Sequence, residues 1–218
     1  MLLVISTPAW SADATVTTPV AAFNWSGAYL GAEIGYGWGR DHIHDRHRIA
    51  PFESDYSTHF NLNGALGGIY GGYNFQSGNW VYGAEGDIEA SGLNGDNTDY
   101  IGGDYSTARI RWQGSLRGRL GYAFSNNLVY ASGGLALGDI KTEYFLSPDK
   151  DGYSTIKAGW TIGAGLEHAF TANWIARIDY RYTDFGRVTD WTKNTDPDWK
   201  YHNDLTQHSI QVGIAYKF

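Results

Sequence analysis

The sequence predicts an all-β chain, an eight-stranded antiparallel up-and-down transmembrane β-barrel with short periplasmic turns and long extracellular loops. Three observations lead there. Large apolar residues alternate with small or polar ones at period two in eight segments. Charged residues within those segments fall on the small-residue face. Aromatic residues gather at the segment ends.

The elements follow in order. Residues 1–11, MLLVISTPAWS, are apolar and end in a small-x-small pattern, the tail of an export signal. Residues 12–22 are a short polar lead-in, and the barrel is expected over 23–218. The first strand, about 25–39, sets Ala28, Leu30, Ala32, Ile34, Tyr36 and Trp38 against Tyr29, Gly31, Glu33 and Gly35. The second, about 64–75, sets Ala65, Ile69, Tyr73 and Phe75 against Tyr70 and Asn74. The third, 80–90, alternates Trp80, Tyr82, Ala84 and Ile88 with Glu85, Asp87 and Glu89. The fourth, 108–124, alternates Ile110, Trp112, Leu116, Leu120, Tyr122 and Phe124 with Arg109, Arg111, Gln113, Arg117 and Arg119. The fifth, about 128–140, and the sixth, 156–170, repeat the pattern, with Glu167 on the polar side of the sixth. The seventh, 174–183, sets Ile178, Tyr180 and Tyr182 against Arg177, Asp179 and Arg181. The eighth, QHSIQVGIAYKF at 207–218, runs to the carboxyl end.

An internal echo supports this count. Tyr73-Asn74-Phe75, Tyr122-Ala123-Phe124, His168-Ala169-Phe170 and Tyr216-Lys217-Phe218 all close strands. They recur at just under about fifty residues, the length of a hairpin plus its loop. Short turns rich in Asn, Ser and Gly follow the first three, and a new strand opens at Trp80, Leu128 or Trp174. The long connections, about 40–62, 91–107, 141–155 and 184–206, are polar and mostly acidic.

The charges orient the faces. An eight-stranded barrel is just wide enough to be filled by side chains. Pointing Glu33, Glu85, Asp87, Glu89, Glu167 and Asp179 inward with Arg109, Arg111, Arg117, Arg119, Arg177 and Arg181 gives an interior ion network in which charges have partners. The apolar face then meets lipid. Trp25, Trp80, Trp174 and the strand-closing Phe residues form a belt at the short-turn end, and Trp38 and Trp160 mark the other. A closed salt-bridged plug and a narrow ion path are both compatible with these inward charges.

Composition excludes several classes. There is no cysteine, hence no disulfide or thiolate chemistry. A net charge of -7 argues against a nucleic-acid partner. No apolar run is long enough for a spanning helix, and no phosphate-binding glycine loop occurs. His208-Ser209 is no hydrolytic pair, because neighbours on a strand face opposite sides. Asp149-Lys150-Asp151-Gly152 lacks the distal Glu of a calcium loop. The first long connection holds His42, His44, His47 and His59. Imidazole is a common ligand of haem iron and transition metals, so His42, His44 and His47 are candidate haem or metal ligands.

The chain resembles the small outer-membrane β-barrel surface antigens of alphaproteobacteria, relatives of opacity proteins and OmpA-like barrels that include hemin-binding members. The resemblance rests on FNWSGAYLG at 23–31, GGIYGGYNF at 67–75, WVYGAEGDIE at 80–89, GSLRGRLGYAF at 114–124, GWTIGAGLEHAF at 159–170 and YRYTDFG at 180–186. It implies an outer-membrane location, outer-membrane lipid as surroundings, and a structural or surface-contact role with no catalytic residue and no cofactor. Host surface molecules and hemin are the candidate loop partners. Tyr216 and terminal Phe218 look like the signal read by the outer-membrane assembly machinery.

Overall fold

The computed structural model describes the backbone of residues 23–49, 52–97, 105–146, 149–191 and 199–218, and side chains within 23–40, 61–95, 107, 109–141, 154–186 and 205–218. The expected leader and lead-in, 1–22, lie outside the described residues.

Among the described residues, nine strands form eight staves. They are β1 (Gly27–Ile49), β2 (Phe52–Ser77), β3 (Trp80–Ser91), β4 (Asn94–Asn97), β5 (Tyr105–Phe124), β6 (Asn127–Leu146), β7 (Asp149–Ala169), β8 (Trp174–Trp191) and β9 (Trp199–Lys217). β4 lies between β2 and β5, as β3 does, so it continues the stave of β3 after a break at Gly92 and Leu93. Every neighbour is antiparallel, and β1 pairs with both β2 and β9. The sheet is therefore a closed barrel with no free edge, which is what a strand structure in hydrocarbon requires.

Three tight connections gather at one end. Gly78, with φ +58°, and Ser125, with φ +52°, supply left-handed turn positions. Asn side chains tie neighbouring turns: Asn79 donates to the Ala123 carbonyl at 3.1 Å, and Asn173 to the Lys217 carbonyl at 2.8 Å. At the opposite end the described parts of the expected long loops are largely ladder. β1 and β2 stay paired out to Ile49↔Phe52, and β6 and β7 out to Leu146↔Asp149. The expected long connections are present there, and in these two the described backbone is paired strand. Beyond the bilayer both faces of a ladder meet water, so backbone pairing continues without the amphipathic alternation that marks a strand in sequence.

Alternation holds through the spanning part. Leu30, Ile34, Ile69, Ile88, Leu116, Leu120, Leu135, Ile162, Leu166, Ile178 and Val212 are exposed on the outer face. Phe75, Trp80, Tyr122, Phe124, Phe170, Trp174, Tyr216 and Phe218 ring the short-turn end, and Trp38, Trp160, Tyr180 and Tyr182 stand at the other. An apolar band between two aromatic girdles is the signature of a bilayer-spanning barrel. Trp25 departs from the expected belt. It is 1% exposed and faces the interior, as its place in the alternation with Tyr29 and Glu33 requires.

Candidate functional site

The chemistry of the described residues is concentrated inside the barrel, in three layers. At the short-turn end Trp25, Val81, Leu128, Ile175 and the rings of Tyr29, Tyr70 and Tyr130 pack into one apolar cluster. At the hairpin end Leu62, Leu66, Leu93, Ile110, Phe185 and Leu205 form a second. Charged residues fill the space between.

Local alternation delivers them. Glu33 comes from β1, Glu85, Asp87 and Glu89 from β3, Arg117 and Arg119 from β5, Glu167 from β7, and Arg177, Asp179 and Arg181 from β8. Register sets Glu85 opposite Arg117 and Glu167 opposite Arg177. The side chains then reach across the lumen. Arg177 bonds Glu33 at 2.5 Å and Glu85 at 2.8 Å. Arg117 meets Glu85 at 2.6 Å, Asp87 at 3.2 Å and Asp179 at 3.5 Å. Arg119 meets Glu167 at 2.8 Å and Glu85 at 3.2 Å. Arg181 meets Glu89 at 3.0 Å and Asp87 at 3.4 Å.

Neutral groups complete the shell. The Tyr29 hydroxyl donates to Glu85 at 2.7 Å and accepts from Arg119 at 2.8 Å. The Tyr130 hydroxyl donates to Asp179 at 2.8 Å. Gln113 and Gln211 both donate to Glu89, at 2.8 and 2.6 Å. Arg177 lies 3.4 Å from the centroid of the Tyr70 ring and Arg119 lies 4.1 Å from that of Tyr130, so the lower apolar layer offers its ring faces to the charges above it. Each guanidinium serves two or more acceptors, and Glu85 is held by three arginines. Such sharing is how charges out of water recover the solvation they lose.

Ligand oxygens of Glu33, Asp87 and Glu89 lie within 4.8 Å of one another, the spacing of a cation site. Arg181 contacts all three carboxylates and supplies the positive charge there.

Ten of the twelve residues expected in the network are therefore inside. Arg109 and Arg111 are the correction. The β5–β6 register shifts between Ile110 and Trp112, leaving Arg111 as a bulged residue. An extra residue inverts the alternation beyond it. Ile110 turns inward, 1% exposed, while Arg109 and Arg111 are exposed. Arg111 bonds Asp139 at 2.6 Å, and Ser154 donates to the same carboxylate. The upper apolar layer was the part missed in sequence, although Leu62, Leu66 and Tyr70 share one parity and signal it.

His42, His44 and His47 lie on β1, but their side chains fall outside the described residues. Tyr216 and Phe218 are exposed on the outer face at the seam, where the Phe218 amide donates to the Ala28 carbonyl at 3.0 Å.

Comparison with known proteins agrees with this architecture. The family model described as outer membrane protein beta-barrel domain matches residues 1–218. The chain is 34% identical to the 31 kDa outer-membrane immunogenic protein of Brucella melitensis, over 99% of this chain and 91% of that one. It is 35% identical to the 22 kDa outer membrane protein of Rhizobium leguminosarum, over 90% of this chain and 80% of that one. Among solved structures, Pseudomonas aeruginosa OprG matches with a TM-score of 0.50 at 13% identity, covering 90% of this chain and 98% of that one. The Escherichia coli outer membrane protease OmpT matches at 0.53 and 7% identity, covering 92% and 99%. At such identities the structural likeness shows the fold alone.

Proposed function

The chain belongs to the outer membrane protein β-barrel family and is an outer-membrane surface protein, and from that premise we propose a non-catalytic role that joins envelope integrity to surface contact through acidic hairpins. One observation carries the reading. The four long segments, 40–62, 91–107, 141–155 and 184–206, hold fifteen carboxylates against eight Lys and Arg, so they carry the entire formal charge of -7. The remainder of the chain is formally neutral. Six of its eight carboxylates and four of its eight cations meet in the lumen network, and on this reading the surplus of the four segments faces outward, where it attracts cationic groups and repels anionic ones.

Two measurements separate the halves of this reading. A strain lacking the chain should show increased sensitivity to SDS, restored by the wild type. It should be restored equally by a variant with the Asp and Glu of the four segments changed to amides. The same variant should lose retention on polylysine-coated surfaces. Unchanged retention would remove the acidic-surface role, and unchanged SDS sensitivity of the deletion strain would remove the integrity role. Tyr216 and Phe218 are assigned to assembly. Deleting Phe218 should lower outer-membrane yield without shifting the unfolding midpoint of the barrel that does insert.

A second reading is haem or metal capture by the first hairpin. Register favours it by setting His42 opposite His59 and His44 opposite His202 on β2, β1 and β9, with His47 on the other alternation of β1. Hemin titration of the wild type and of a His42→Ala, His44→Ala variant tests it. The reading fails if neither spectrum shifts. A conducting pore is the reading least supported, because two apolar layers cap the ion network.

A further inference from the structure

Two sets of the barrel's glycines differ in what a side chain there would meet. On the inner face, a Cβ on Gly31 would stand 2.6 Å from the Tyr70 ring. One on Gly72 would stand 2.6 Å from the Tyr29 hydroxyl, and one on Gly165 would stand 2.6 Å from the Tyr130 ring. Those glycines make room for the lumen's tyrosines. On the outer face the nearest atoms to a Cβ would be 3.5 Å away at Gly86, 4.0 Å at Gly118 and 3.6 Å at Gly133. The barrel's own packing would accept a side chain at these positions. Glycine inside a strand weakens it, and often marks a place where something approaches closely.

Register gathers these sites. Ala84, Gly118 and Gly133 are directly paired across β3, β5 and β6. They floor a groove of about 680 Å³ on the outer face. Tyr73, Phe75 and Tyr82 wall it toward the short-turn end, with ring centroids 4.8 Å apart for Tyr73–Phe75 and 5.7 Å apart for the stacked Phe75–Tyr82 pair. Leu116, Leu120 and Leu135, each more than half exposed, stand around the floor. The lining is almost wholly apolar. Arg119 borders it from beneath with its guanidinium committed to Glu167, Glu85 and Tyr29.

The groove is continuous with the membrane-facing band, so its surroundings are acyl chains. The bulky residues around the floor keep a second flat sheet from reaching it, whereas one narrow flexible chain can enter between them. Its ring wall belongs to the girdle at the short turns, which in such barrels face the periplasm. We propose that the groove across β3, β5 and β6 seats one acyl chain of an inner-leaflet phospholipid, which stays on the barrel longer than the lipid around it.

Native mass spectrometry of the folded barrel, released from phospholipid nanodiscs, tests this. The wild type should carry one phospholipid adduct. Gly118→Val with Gly133→Val fills the groove with strand-favouring side chains and should cut the adduct at least about fivefold. Gly67→Val, on the outer face with its nearest atom at 3.7 Å, should leave it unchanged. A gel shift on boiling shows that each variant is folded, and Gly118→Ala provides a milder step that should give a partial loss. Equal adducts in wild type and double variant would overturn the proposal, as would a bare wild type. A wild-type dimer that the double variant abolishes would also overturn it, by assigning the groove to a second copy.

Discussion

The lumen solves one problem in two ways. Its ends and its middle are equally dry: Leu128 and Asp179 are both fully buried. The ends are filled by apolar groups whose interactions are pairwise and local, so each contributes separately. The middle is filled by charges whose partners are shared. Glu85 is bonded by Arg117, Arg119 and, from the opposite side of the barrel, Arg177, which in turn holds Glu33 on β1. A dry site makes such bonds strong and makes any orphan expensive. The middle layer should therefore be brittle and coupled, and the ends tolerant and additive.

The largest effect is expected from Arg177→Ala. It leaves Glu33 and Glu85 short of a buried partner, and removing one member of a buried pair costs roughly 3–5 kcal/mol. Urea unfolding of the barrel in lipid vesicles, followed by tryptophan fluorescence, reads this directly. Adding Glu33→Gln sharpens it. The double variant removes the orphaned charge, so it should recover about 1–3 kcal/mol relative to the sum of the two single losses. Simple additivity of Arg177→Ala and Glu33→Gln would break the picture of a coupled network.

The apolar layers should behave otherwise. Leu128→Ala should cost about 3 kcal/mol, the middle of the usual range for a buried leucine. Combined with Leu93→Ala, in the opposite layer, the losses should add to within about 0.5 kcal/mol, since the two sites share no partners. A strong coupling between them would mean that the ion layer transmits packing changes along the barrel axis.

The same contrast explains what the sequence reveals and what it hides. The buried charges were legible because period-two alternation is enforced wherever one face meets lipid and the other the lumen. Glu85, Asp87 and Glu89 against Arg117 and Arg119 read as facing ladders from alternation alone. The fold, its apolar band and the inward placement of ten of the twelve network residues follow from that one rule. The groove floor at Gly118 and Gly133 was not legible, because only register across three strands brings those glycines together. The upper rim was misread at one point. A bulge is a single extra residue with no compositional mark, and between Ile110 and Trp112 it exchanged the faces of Arg109, Ile110 and Arg111. The projecting hairpins were hidden for a different reason, since a ladder wet on both faces has no pattern to enforce.

That bulge supplies the smallest expected effect and the control for the rest. Arg111 bonds Asp139 at 2.6 Å, closer than most of the lumen pairs, yet its side chain is 58% exposed. Water solvates the guanidinium when the pair opens, so the bond exchanges one set of partners for another. Exposed pairs of this kind contribute at most about 1 kcal/mol, and salt screens them. Arg111→Ala should therefore shift the unfolding free energy by less than about 1 kcal/mol, and the shift should shrink further in high salt. Arg177→Ala should keep its full cost at the same salt, because no counterion reaches the lumen between its two apolar caps. A loss from Arg111→Ala comparable to that from Arg177→Ala would mean that bond geometry governs stability in this barrel. A small, salt-sensitive loss would place the difference in burial.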